Sequence, residues 1–168
     1  MEQKTSLPAE ALAKVGPKDV FLHLLAIITL YASAVGFLVL IFQYINVLIP
    51  DPFQEGGYYA LRGYYSTIRW SISSLIVIFP VYIWTSWFLD KSYAVTPAKR
   101  NLRIRKWLIY FTLFAAALII IGDLVTLIFN LLGGELTARF LLKILAVFFV
   151  AGSVFFYYFW DVKKYKTE

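Results

Sequence analysis

The sequence predicts an all-α membrane protein, and three observations carry that prediction. Across 168 residues, 61% are hydrophobic and 19% aromatic, only 15% are charged, and the mean hydropathy is +0.72. A soluble domain has about 45–50% apolar and about 25% charged residues, so this excess cannot be hidden in one water-soluble core. Four continuous apolar stretches are each long enough to cross roughly 30 Å of hydrocarbon at about 1.5 Å per residue. The polar and basic residues gather between these stretches. Backbone groups in lipid find no water, so the stretches are read as helices. Their apolar residues also run without the alternation of a membrane barrel.

The first stretch covers about Val20 to Ile49 and the second about Trp70 to Leu89. The third covers about Trp107 to Leu132, and the fourth about Phe140 to Trp160. Residues 1–19 and 161–168 flank them, and residues 1–168 read as one membrane domain without repeats. The first run is about twice the length of a signal-peptide core and lacks a small-residue cleavage pattern, so it is expected to be a retained helix. After it, Pro50-Asp51-Pro52 and Gly56-Gly57 signal a turn. The tyrosine-rich piece from Tyr58 to Ser66 is expected to form a short interfacial helix between helices one and two, on the outer side. Gly133-Gly134-Glu135-Leu136-Thr137 reads as a tight turn that makes the last two helices an antiparallel hairpin.

Orientation follows the basic residues. The N-terminal segment, the second loop and the tail carry twelve of the sixteen lysines and arginines. Arg62, Arg69, Arg139 and Lys143 make up the other four. The positive-inside rule places the majority, with both termini, in the cytoplasm. Within the second loop, Lys99, Arg100, Arg103, Arg105 and Lys106 are expected to meet anionic lipid headgroups, each worth about 1 kcal/mol.

Asp123 is the residue that stands out. It lies within the third stretch with no flanking charge, where insertion costs about 3 kcal/mol. Thr126 and Asn130 follow at i+3 and i+7 and share its helix face. Gln43, Arg69 and Lys143 fall at comparable outer-half depths, and Lys143 is long enough to snorkel outward or reach Asp123. These six residues either line an outward-facing polar cavity with Asp123 as an ion or proton site, or fix helix register as a buried cluster. Pro80 is expected to kink the second helix by freeing a backbone carbonyl. His23, one turn from Asp19, reads as a capping or interfacial contact, and the tyrosine pairs read as interfacial belts.

Catalytic chemistry is poorly supplied. With no cysteine there is no disulfide, thiolate nucleophile or Cys-held metal, and a single histidine leaves no His-rich metal site. No glycine-rich loop has phosphate-cradle spacing. The expectation is a protein that is not an enzyme and has no cofactor, no metal site and no nucleic-acid partner.

Several runs also have a familial look: Lys18-Asp19-Val20-Phe21-Leu22-His23, Leu30-Tyr31-Ala32-Ser33-Ala34 and Tyr65-Ser66-Thr67-Ile68-Arg69-Trp70. Gly122-Asp123-Leu124-Val125-Thr126-Leu127, the stretch Gly133 to Lys143, and Tyr158-Phe159-Trp160-Asp161 complete them. Together, from about Asp19 to Asp161, they resemble a family of small bacterial four-helix membrane proteins known only as a domain of unknown function. The resemblance implies the same fold and a multi-pass place in the bacterial inner membrane, and it implies no substrate. Two readings of function follow from the residues. One is a non-catalytic subunit or scaffold in a membrane assembly, with copies of itself or another membrane protein as partners. The other is a homo-oligomeric ion or proton channel or transporter built on Asp123.

Overall fold

The computed structural model describes residues 16–50, 57–97, 99, 102–134 and 136–165. It is all-α: α1 spans Pro17–Leu48, α2 Gly57–Val95, α3 Arg103–Gly133 and α4 Ala138–Tyr165. Each is long and apolar enough to cross a membrane. The helices run alternately up and down. His23 near the start of α1 meets Tyr93 near the end of α2, and Arg105 near the start of α3 meets Asp161 near the end of α4. That pole, holding the first turn of α1 and the last of α4, is called the terminal end below. At the opposite end, Arg139 of α4 reaches the Asn46 carbonyl of α1 at 3.3 Å.

Local sequence explains the boundaries. Pro17 at the first position of α1 loses no intrahelical bond, because a helix's first N–H groups have no partner within it. Gly134 ends α3 in the left-handed region, with φ 71°, and its N–H turns back to Leu131 and Asn130. A side chain there would be strained. Gly134→Ala is expected to cost about 1–2 kcal/mol in a thermal unfolding series in detergent.

The tyrosine-rich segment corrects one expectation. Instead of a separate interfacial helix, residues from Gly57 onward are the opening turns of α2, which runs unbroken for 39 residues to Val95. Nothing between Tyr59 and Trp70 breaks a helix strongly, and extending a nucleated helix is far easier than starting another. Pro80 lies inside the same helix. The turn signals at Pro52 and Gly56, and the residues Arg100 and Glu135, lie outside the described residues.

Packing is inverted relative to a soluble bundle. The most enclosed side chains are Thr85 and Thr112, at 0% and 1% exposure, with Ser71, His23, Thr29 and Ala116 also buried. Large apolar side chains such as Ile76, Trp87, Phe114 and Phe149 face outward, where lipid tails solvate them as well as a core would. The buried hydroxyls bond to their own helices: Thr85 donates to Val81 O at 2.8 Å and Thr112 to Leu108 O at 2.8 Å. With its hydrogen committed, Thr112 must accept from the Tyr31 hydroxyl at 2.9 Å, which ties α3 to α1.

α1 is the central helix, touching α2, α3 and α4, while α3 and α4 form their own hairpin. Among the described residues, no Cα of α2 comes within 8 Å of one in α3 or α4. That separation opens a gap between α2 and the hairpin. Long side chains at the terminal end border it.

Candidate functional site

Two polar regions emerge, one around Asp123 and one at the terminal end. Asp123 is half-buried on α3, ten residues before that helix ends at Gly133. Its Oδ2 is enclosed and has no hydrogen-bond partner. Thr126 shares its face but donates to Gly122 O at 2.8 Å, and Asn130 donates from Nδ2 to Thr126 O at 2.9 Å. The stripe has therefore turned donors back onto its own helix. What it presents outward is mainly lone pairs.

The other expected members are not gathered there. Lys143 lies 5.7 Å from the Phe42 ring, and no ion pair joins it to Asp123 among the described residues. Gln43 accepts from Asn46 at 3.1 Å at the α1–α4 contact. Arg69 is exposed on α2. Thus α3 keeps Asp123, Thr126 and Asn130 together, while α1, α2 and α4 hold Gln43, Arg69 and Lys143 elsewhere.

The terminal end is the denser constellation. His23 Nδ1 lies 2.6 Å from the Asp19 carbonyl, which can only accept, so Nδ1 carries a proton. Nε2 then meets the Tyr93 hydroxyl, also at 2.6 Å, and accepts its proton when the ring is neutral. Both residues are buried, at 5% and 6% exposure. The Arg105 guanidinium stands 5.1 Å from the Tyr93 ring centre and donates to Asp161 at 2.6 Å. Lys99, in the α2–α3 connection, pairs with Asp19 at 3.0 Å. One continuous network therefore crosses all four helices.

Beside this network lies a crevice of about 110 Å³, bordered by residues from every helix. Tyr82, Ser86 and Asp90 of α2 face Tyr157, Tyr158 and Asp161 of α4 around it. The rings of Tyr157 and Tyr158 stand at 87° to each other with centres 5.1 Å apart. Among the described residues, the hydroxyls of Tyr82, Tyr157 and Tyr158 make no hydrogen bond within the chain. Two cations expected at lipid headgroups, Lys99 and Arg105, are held by carboxylates of the chain, whereas Arg103 and Lys106 are exposed.

The crevice is assembled from residues as far apart in sequence as His23 and Asp161, so no single stretch contains it. The signal available was that Asp19, Asp90 and Asp161 interrupt the basic side at matching depths, alongside the only histidine. No cluster of three or more metal-ligating side chains occurs among the described residues.

No curated protein and no solved structure matches the chain. The stretch running from Asp19 into α4 does have a counterpart. Residues 19–158 match the domain of unknown function DUF5671, and the chain belongs to that family of domains.

Proposed function

We propose that this four-span membrane protein is a non-catalytic subunit, and that a second membrane chain docks on the Asp123 face of α3. One observation carries the reading: a half-buried carboxylate, flanked by outward lone pairs, has an oxygen with no partner in its own chain. At that depth the carboxylate's environment costs about 3 kcal/mol unless a donor or cation meets it. A lysine, arginine or amide on a neighbouring helix supplies both charge and hydrogen bonds. The same stripe, repeated around a ring of copies, would line a cation path, which is the second reading. It rests on the same lone pairs and requires a homo-oligomer.

A photo-reactive residue in place of Ile119, one turn from Asp123 and 51% exposed, tests the docking. Phe114, nine positions from Asp123 and so on the opposite side of the helix, is the control. The expected result is a discrete protein adduct at 119 that vanishes on Asp123→Leu, with only lipid adducts at 114. Lipid adducts alone at both positions would overturn the reading.

The proposed orientation has both termini in the cytoplasm of a cell bounded by an inner membrane, supported by the basic asymmetry. Exposed Arg103 and Lys106 are then placed to meet anionic lipids. Because the chain has no cysteine, one introduced thiol is a unique reporter. Tyr59→Cys should react with an impermeant reagent in spheroplasts and Lys163→Cys only after lysis. The reverse pattern would invert the topology.

A further inference from the structure

The terminal-end crevice has a chemical preference that can be read from which hydrogen-bonding groups are already engaged. Its charged and ring groups are engaged: Arg105 donates to Asp161, His23 Nδ1 donates to the Asp19 carbonyl, and His23 Nε2 accepts from Tyr93. The groups left over can accept. Asp90 stands exposed at its edge with no ion pair among the described residues, and the Ser86 and Tyr158 hydroxyls offer lone pairs nearby. The hydroxyls can donate or accept, so it is the carboxylate of Asp90, without an ion pair among the described residues, that favours a cation over an anion. A primary ammonium carries three donors and one positive charge, and aromatic rings together with a carboxylate suit it.

Two further features indicate what carries that ammonium. The crevice sits within a basic end, where Lys18, Lys91, Arg103 and Lys106 are exposed. Such a rim attracts the phosphate that a zwitterionic headgroup carries beside its ammonium. Tyr82 also borders a second hollow, an apolar groove of about 730 Å³ between α1 and α2. Leu30, Phe37, Leu75, Ile76, Phe79 and Pro80 wall it, all further along α1 and back along α2 toward the middle of the membrane. A polar hollow at the interface, adjoining an apolar one toward the bilayer centre, has the layout of a phospholipid.

We propose that this protein binds one aminophospholipid, with the headgroup ammonium in the terminal-end crevice and an acyl chain along the Pro80 groove. Native mass spectrometry of the full chain, with added phosphatidylethanolamine or phosphatidylglycerol, tests it. The expected result is one phosphatidylethanolamine retained per chain, in clear preference to phosphatidylglycerol. Asp90→Asn changes an exposed residue and so leaves the fold intact. It should lower that preference by about tenfold, within the worth of one charge-assisted hydrogen bond. Ile76→Trp, in the groove wall, should reduce lipid retention while sparing calorimetric binding of ethanolamine. Equal retention of both lipids, unaffected by Asp90→Asn, would overturn the proposal. Ethanolamine binding that depends on Asp90, without any lipid preference, would keep the ammonium site and overturn its assignment to a lipid.

Discussion

Asp123→Leu is expected to make the isolated chain more stable while it abolishes association. A carboxylate with an unpartnered oxygen, ten residues from the end of α3, contributes nothing to the single chain that would offset its transfer into lipid. Replacing it with leucine should raise the unfolding free energy by about 1–3 kcal/mol, a large part of the insertion cost of aspartate. Thr126 and Asn130 keep their bonds to their own helix in the variant, so the fold should survive. A purely structural aspartate would give the opposite sign, because its removal would unsatisfy a partner. Denaturant titration in mixed micelles separates the two, and a loss of stability on Asp123→Leu would show an internal role.

Asp161→Ala is expected to act in the other direction, lowering stability by about 2 kcal/mol. Breaking a fully buried ion pair costs about 3–5 kcal/mol because an uncompensated charge remains. Here the two side chains retain 15% and 23% exposure, and water screening trims the loss. The 2.6 Å bond also joins α3 to α4 at the end opposite their connecting turn, so its loss frees both helix ends. Removing both charges, with Arg105→Met added to Asp161→Ala, should recover part of the loss. Lys99→Ala breaks a connection that is 29% exposed on the lysine side and should cost under about 1 kcal/mol. Similar losses for Asp161→Ala and Lys99→Ala would place both pairs in the solvated category.

The four helices were legible in the sequence because lipid imposes one rule on every residue of a span, and continuous apolar runs satisfy it locally. Asp123 was legible for the same reason, as a charge where none is expected. The fusion of the tyrosine-rich segment with α2 was less visible, since aromatic, glycine-bearing sequence suits an interface and a helix equally. The terminal-end crevice was hidden by distance along the chain. His23 and Tyr93 are 70 positions apart and Arg105 and Asp161 are 56 apart, so no local window contains either pair. Each also has an ordinary reading alone: His23 as a capping contact, the tyrosines as an interfacial belt, Arg105 as a lipid anchor. Only the antiparallel arrangement of helices brings them to one depth. The turning of Lys143 toward Phe42 likewise depends on how α4 is rotated against α1, which the even hydrophobicity of α1 does not specify.

The central claim is that the Asp123 face belongs to an interface. Native mass spectrometry of the protein released gently from its host membrane, as wild type and as Asp123→Leu, tests it most directly. A wild-type species heavier than the 19.3 kDa chain is expected, falling to that single mass in the variant. A second polypeptide in the heavier species identifies a subunit, and whole multiples of 19.3 kDa identify the homo-oligomer required for conduction. A wild-type protein found only at 19.3 kDa, or a heavier species indifferent to Asp123→Leu, would contradict it.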